Sequence, residues 1–279
     1  MAVVSGTANP NRRLLRIAVL RCFTIPASIA KKRGQFDGLF ASWLKTAVEA
    51  RNSKQPADSQ VDVEISGGFD VINRAEFPTC LDDLDGIIIT GSTACASDDE
   101  KWIHRLSAFL RDVYETKPAV KIFGGCFGHQ LVCQTLLGQH GIRVEKNPQG
   151  WEIGVHQIRL TPEFAAHFPE QLKDMEMSFQ FLHQDVVCRD GPLPEGWVDM
   201  GSSKLCQSQG VLKPGQVLTY QGHPEFDQFI NKGSTLSLIE SGAVKEKEDQ
   251  SVLQLIDRED TRILAGEVVI QFFLSSNTG

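Results

Sequence analysis

Apolar positions recur along this chain in two rhythms. Phe36, Leu39, Phe40, Trp43, Leu44, Ala47 and Val48 keep the i, i+3, i+4, i+7 spacing that gathers side chains on one helix face, an aromatic stripe best read as core packing. Trp102, Ile103, Leu106, Phe109 and Leu110 repeat that spacing in a helix that Ser97, Asp98 and Asp99 can cap and Pro118 stops. Leu131, Val132, Leu136 and Leu137 predict a third helix ended by Gly138, and an apolar helix follows from Arg262 onward. Short apolar runs at Arg16–Leu20 (RIAVL), Gly86–Thr90 (GIIIT) and Val120–Phe123 have the character of buried parallel strands. Val61–Ile65 alternates like a strand with one face in the core, and further strands fit Gly154–Leu160 and Val217–Gln221. Arg51–Gln60 and Ser241–Gln250, with the charged run Lys245–Asp249, are polar and predict surface loops. Strands separated by helices predict an open α/β sheet in one domain, residues 16–279, behind an N-terminal extension of residues 1–15.

Composition narrows the function classes. The 279 residues are 41% hydrophobic and 23% charged, enough to bury a sizeable core. A net charge of −7 offers no positive field for phosphate backbones, which argues against nucleic acid as the partner. No apolar run approaches the roughly 18 residues of a membrane span. Seven cysteines, an odd number without a repeated C-x-x-C unit, predict a reduced, cytoplasmic protein. Residues 1–36 carry no acid and several arginines, a balance also found in transit peptides, but the strand-like Arg16–Leu20 is not what a cleavable peptide supplies. His104, His140, His156 and His167 show no ligand spacing, so neither a metal nor another cofactor is expected.

The chemistry concentrates in Lys121–Gln130, KIFGGCFGHQ, where an apolar strand runs through Gly124-Gly125-Cys126-Phe127-Gly128 into a helix. Flanking glycines allow the sharp turn of a nucleophile elbow, which lifts Cys126 above the sheet at the positive end of the next helix. That helix end favours the thiolate, the reactive form, and the N–H of Phe127 can donate to a developing oxyanion. Cys133, seven residues on and on a similar helix face but without an elbow, reads as core, and His129 as a packing residue or a donor behind the reacting groups. A thiolate needs a base. His223 ends the apolar strand in Val217–Glu225 (VLTYQGHPE), and Pro224 holds the chain extended so that His223 and Glu225 face the same side. A carboxylate there can fix one imidazole nitrogen while the other faces sulfur, the logic of nucleophile, base and orienter.

GGCFGHQ followed by GHPEF resembles the class I, triad-type glutamine amidotransferases, in particular their stand-alone, GMP-synthase-like and γ-glutamyl peptidase members. Thr90-Gly91-Ser92 with Ser97–Ile103, Gly150–Gly154 (GWEIG), Leu182–Asp185 (LHQD), Leu193–Gly196 and Gly201–Ser203 extend the likeness over most of the chain. The resemblance implies a single flavodoxin-like three-layer α/β/α domain with a mostly parallel sheet. It implies Cys126 as nucleophile, His223 as base and Glu225 as orienter, with a second oxyanion donor from Gly91 and Ser92. It further implies that Gln130, His183, Gln184 and Asp185 hold a γ-glutamyl group; His183 reads equally well as structural. The loop GSTACASDD departs from the Gly-Gly-Pro type of ammonia-channelling members, and Ile25–Phe36 has no family counterpart we can name.

Three functions stay open on the sequence. The first is a cysteine-dependent hydrolase of γ-glutamyl amides, acting on glutathione conjugates or glutamine. The second is a glutaminase subunit supplying ammonia to a separate synthase, and the third a catalytically silent binding module. No on-chain acceptor domain or G-x-x-x-x-G-K loop follows Glu225, which favours the first. The small residues of Ser92–Ser97 (STACAS) predict an open cleft running from Cys126 past Thr93–Ala96, with the leaving amine on that side. A homo-oligomer stays open as well.

Overall fold

A computed structural model describes residues 12–173, 176–244 and 249–276. The first strand, β1 (Arg13–Arg21), starts three residues ahead of the apolar run that predicts it, because Arg13 to Leu15 continue its pairing with β2 (Val61–Asp70). On its other side β1 pairs with β3 (Gly86–Ile89), which pairs with β4 (Lys121–Gly125), and β4 with β12 (Val217–Tyr220), all in parallel. β11 (Val211–Lys213) and β9 (Val198–Asp199) add antiparallel, completing a seven-stranded sheet of order β2-β1-β3-β4-β12-β11-β9. The arginines of the acid-free N-terminal stretch find acids elsewhere: Arg12 lies 3.4 Å from Asp62, Arg13 3.3 Å from Asp85 and Arg33 2.7 Å from Asp227. The run therefore serves the fold from Arg12 onward; residues 1–11 lie outside the described residues.

Helices cover both faces. α2 (Phe36–Asn52) buries the whole predicted stripe, Phe36 through Val48, against one face, beside the apolar α8 (Arg262–Leu274). The two helices approach closely where Gly266 leaves room: a Cβ there would sit 2.5 Å from that of Ala47. α3 (Lys101–Thr116) and α4 (Phe127–Leu137) cover the other face through Ile103, Leu106, Leu110, Leu131 and Val132. A three-stranded sheet, β10 (Gly201–Ser202), β6 (Glu152–Leu160) and β7 (Glu176–His183), packs on the α8 side, and a ribbon of β5 (Ile142–Lys146) and β8 (Asp185–Arg189) on the α4 side. α1 (Ala27–Arg33), α5 (Pro162–Ala166), α6 (Gln228–Glu240) and α7 (Asp249–Ile256) complete the chain. This is the expected three-layer α/β/α arrangement with a mostly parallel sheet. Among the described residues no helix is long and apolar enough to cross a membrane.

Several local expectations need correction. α3 starts at Lys101 behind Glu100, which makes no side-chain cap bond; the Asp98 carboxylate accepts instead from the Cys95 N–H at 2.9 Å, and Asp99 meets His104 at 2.7 Å. α4 ends as expected at Gly138, its C-cap, but that glycine stays in the right-handed region, and it is Gly141, φ 78°, that reverses the chain after a 3₁₀ turn. Within Ser241–Gln250, Val244 is buried beside Ile153 and Ile256, and Asp249 opens α7; residues 245–248 lie outside the described residues.

Candidate active site

The parallel strands point their C-terminal ends at one rim, the place where open α/β sheets build their sites. β4 ends there in Gly124-Gly125, and Cys126 follows with φ 52° and ψ −108°, a conformation that L-residues rarely adopt. The strain is held from three directions. The Cys126 N–H donates to Tyr220 O at 2.8 Å, and its carbonyl accepts from the Gln130 N–H at 3.1 Å. Gly128 lies so close to β3 that a Cβ would stand 2.2 Å from Ile89 O, and a Cβ on Gly124 would stand 2.7 Å from Gly128. Only glycines let helix, turn and strands approach this closely. The result sets Cys126 at the N-cap of α4, where the first N–H groups of the helix, Phe127 included, have no intrahelical acceptor.

His223 follows β12 and is anchored by its N–H to Gln180 O at 2.7 Å. Its Nδ1 meets Glu225 Oε1 at 2.8 Å, with both side chains buried. The imidazole and Cys126 both flank Gly91: a Cβ there would lie 2.6 Å from His223 Cε1 and 3.7 Å from Cys126 Cβ. Burial alone would push the His223 pKa down. The charge of Cys126, that of Glu225 and their hydrogen bonds outweigh it and raise the value to about 10. The arrangement can therefore hold an imidazolium beside a thiolate, a reactive pair at neutral pH. Cys126, Gly91, Phe127, His223 and Glu225 are thus brought to one place. Burial is the chief cause that pushes the thiols of Cys22 and Cys206 up to about 12. Burial raises Cys133 further still, in line with a core residue.

A cleft of about 690 Å³ opens over Cys126, bordered by Gly91, Ser92, Gln130, His183, Gln184 and Asp185. The loop after β3 is held in shape: Ser92 Oγ accepts from Ala94 N at 3.2 Å, and Gln134 donates to Ala96 O at 3.0 Å. Thr93, Ala94 and Cys95 reach the cleft, whereas Ala96 is 1% exposed and packs in the core beneath α4. The expected cleft therefore runs past Thr93–Cys95 and not past Ala96. Gln130 Nε2 donates to Asp185 O at 2.8 Å and to Gln221 at 3.2 Å, so its amide is already committed to the wall.

His183 is tied at both ring nitrogens, Nδ1 to Asp185 O at 3.0 Å and Nε2 to Glu152 Oε2 at 2.8 Å. Glu152 is fully buried; burial would raise its carboxyl, but His183 and Ser203 bring it below the usual carboxylate range. Gln209 also donates to Glu152 Oε2 at 2.8 Å. Glu152, Gln209 and Ser203 thus fasten the cleft wall from behind. Glu152 and Ser203 fall in the quoted blocks GWEIG and GSS, but nothing there marks them as buried partners of His183. Their one signal was a glutamate set in the apolar strand Trp151–Val155. His129 packs as a structural group: Nδ1 meets Thr219 Oγ1 at 2.7 Å, and burial, followed by the charge of His183, lowers it to about 3.

The chain is 28% identical over 258 residues to a glutamine amidotransferase-like protein of Schizosaccharomyces pombe, covering 92% of this chain and 98% of that protein. Gamma-glutamyl peptidase 2 of Arabidopsis thaliana is 31% identical over 166 residues, or 58% of this chain and 62% of the peptidase. The crystal structure of a glutamine amidotransferase from Thermotoga maritima superposes with a TM-score of 0.63 over 94% of this chain and 99% of that one, at 16% identity, a likeness of fold. The family model for glutamine amidotransferase class-I matches residues 56–237, a span that includes the Cys126 elbow and the His223–Glu225 pair, and the chain belongs to that family.

Proposed function

We propose that this protein is a γ-glutamyl peptidase, hydrolysing γ-glutamyl amides such as glutathione conjugates through a cysteinyl thioester. The observation that carries the reading is the cleft of about 690 Å³ over a buried Cys126–His223 pair. That volume falls in the roughly 300–1,000 Å³ range of sites for drug-sized ligands and exceeds what a glutamine side chain fills. The resemblance to a plant γ-glutamyl peptidase supports it.

In this mechanism the Cys126 thiolate attacks the γ-carbonyl carbon, and the carbonyl oxygen becomes an oxyanion. The N–H groups of Phe127 and of the Gly91–Ser92 loop receive that charge. His223 gives its proton to the departing amine as the C–N bond breaks, leaving a γ-glutamyl thioester on sulfur. Water, deprotonated by the now neutral His223, attacks the thioester, and glutamate leaves as the thiolate and imidazolium re-form. Glu225 holds the imidazole through Nδ1, so Nε2 faces the reacting atoms. Gln130, His183, Gln184 and Asp185 shape the γ-glutamyl end.

The experiment is to offer purified protein glutamine, glutathione and a glutathione S-conjugate, and to measure ammonia, cysteinylglycine species and glutamate. Glutamate released with the cysteinylglycine part is the expected result. Turnover of glutamine alone, rising when cell extract supplies a synthase, would replace this reading with an ammonia-delivering subunit.

A further inference from the structure

Resting on that hydrolase reading, one feature of the cleft defines the amine. His223 protonates the departing nitrogen, so the amine side of the scissile bond must lie on His223's side of the cleft. That side is aromatic. Phe226 stacks face to face on His223, with centroids 4.1 Å and planes 9° apart, and Phe36 stacks beyond it at 6.2 Å. Half-buried Phe23 and Pro26 border the same cleft. Pro26 and Phe36 belong to the segment Ile25–Phe36 without a family counterpart, Phe23 just precedes it, and the segment is a fixed wall: Gln35 Oε1 accepts from Ile25 N at 3.0 Å and Gln35 Nε2 donates to Ile25 O at 3.4 Å.

The loop end of the cleft has the opposite character. Asp98 is folded onto Cys95, and the Asp185 carboxylate adds to burial in raising the Cys95 thiol. Lys146, in register with Asp185 in the β5–β8 ribbon, borders the cleft together with Asp98 and Asp185. A lining that carries one ammonium and two carboxylates suits the α-amino and α-carboxylate groups of a γ-glutamyl moiety. On this assignment the Thr93–Cys95 loop serves the charged end and the aromatic wall serves the amine, the other way round from the sequence expectation of an amine beside Thr93–Ala96.

The geometry points to a leaving-group subsite formed by Phe23, Pro26, Phe36 and Phe226 that selects γ-glutamyl amides whose amine part carries an apolar, preferentially aromatic, substituent. Ser234 and Ser237 of α6 and Ser241 at its C-cap, at i, i+3 and i+7, border the cleft and supply hydroxyls to the polar remainder of that amine. Reaction there consumes only water, which delivers OH to the γ-carbonyl carbon and H to the amine.

The test compares γ-glutamyl-phenylalanine, γ-glutamyl-aspartate and glutamine as substrates of the full chain. An apolar pocket contact changes kcat/KM by roughly 10-fold or more, so γ-glutamyl-phenylalanine should exceed γ-glutamyl-aspartate by about that factor. Phe23→Ala should lower turnover of γ-glutamyl-phenylalanine about 10-fold more than that of glutamine. Equal losses on the two, or parity of the two dipeptides in the unaltered protein, would overturn the subsite. Calorimetric binding to Cys126→Ala separates this from the hydrolase reading. Tighter binding of γ-glutamyl-phenylalanine than of γ-glutamyl-aspartate is expected even where chemistry is absent, and equal affinities overturn the subsite whatever the turnover. No turnover of any of the three by the unaltered protein removes the hydrolase reading and the subsite with it.

Discussion

Gly91 has no side chain because His223 occupies the place of one. A methyl group there would stand 2.6 Å from the imidazole Cε1, well inside contact distance, so the ring must move. A displacement of about 1 Å in a reacting group can lower turnover ~10²-fold, and Gly91→Ala should show a loss of that order in kcat with an unchanged melting temperature. Full activity in that variant would mean that the ring's position is immaterial. The raised pKa of His223 gives a second test. Burial opposes the charge, and Cys126 is the largest group supporting it, so in Cys126→Ala the imidazole should titrate below its value of about 10. NMR of the ring nitrogens reads this, and an unmoved titration would deny the thiolate–imidazolium pair. The folded value lies above the ordinary 6.5, so the stability that His223 contributes is complete below pH 6.5 and is lost as pH rises through about 10. Urea midpoints should fall across that window, and fall less in Cys126→Ala. Cys126, His223 and Glu225 were legible because each sits in a local pattern: glycines at a turn, a proline at a strand end. The buried partners of His183 were not, since Glu152, Ser203 and Gln209 lie far apart in sequence and only the folded chain brings them together.

At the scale of elements, strands buried on both faces declared themselves, and a half-exposed strand did so only where it alternates clearly, as Val61–Ile65 does. Gly86–Ile89 and Lys121–Gly125 are buried throughout and read as apolar runs, as did the stripe of α2. β9, β10 and β11 span two or three residues each, too few for any periodicity. β5, with two of five residues buried, is half polar and resembles a loop. α1 escapes notice because Ile29 is its one buried residue. Lys121, inside the apolar run Val120–Phe123, carries an element-scale role: its buried ammonium donates to Phe272 O at 2.9 Å, Phe273 O at 3.0 Å and the carbonyl of Ser275, closing the C-terminus of α8. A cation at that negative helix end satisfies carbonyls that have no intrahelical donor. Lys121→Met keeps the stem but strands those acceptors, and it should destabilise the protein by roughly 2–3 kcal/mol. Urea denaturation checks the value; a loss under about 0.5 kcal/mol, the range of ordinary surface substitutions, would show that the carbonyls find other donors.

For the whole molecule, the span matched by the family model and the folded unit differ. Residues 56–237 hold Cys126, His223 and Glu225, but β1, α1, α2, α7 and α8 lie outside them. β1 is an interior strand, paired with β2 along Arg13–Arg21 and with β3 along Ile17–Leu20. Its removal leaves β2 without its one partner among the described residues of the sheet and opens an edge on β3. Loss of α2 and α8 uncovers Ile88, Phe123, Leu218 and Tyr220, which share one core with Phe40, Trp43, Val269 and Phe273. Unpaired edges and a bare apolar face cannot be offset by what remains, because stability is a small difference between large burial and entropy terms. A fragment of residues 56–237 should therefore show no cooperative urea transition and should bind a hydrophobic dye, as loosely packed states do, while the full chain unfolds in one sigmoid. A sigmoidal transition in the fragment would show that the outer segments decorate a self-sufficient core. Those same segments carry Phe23, Pro26 and Phe36, so three residues of the proposed amine wall and the cover that α2 gives the sheet come from one stretch of chain. Substitutions that reshape the wall at Phe36 should then lower stability together with selectivity, whereas Phe23, half-buried at the rim, should change selectivity with little loss of stability. Comparing the melting temperatures of Phe36→Ala and Phe23→Ala tests this division, and equal losses in the two would refute it.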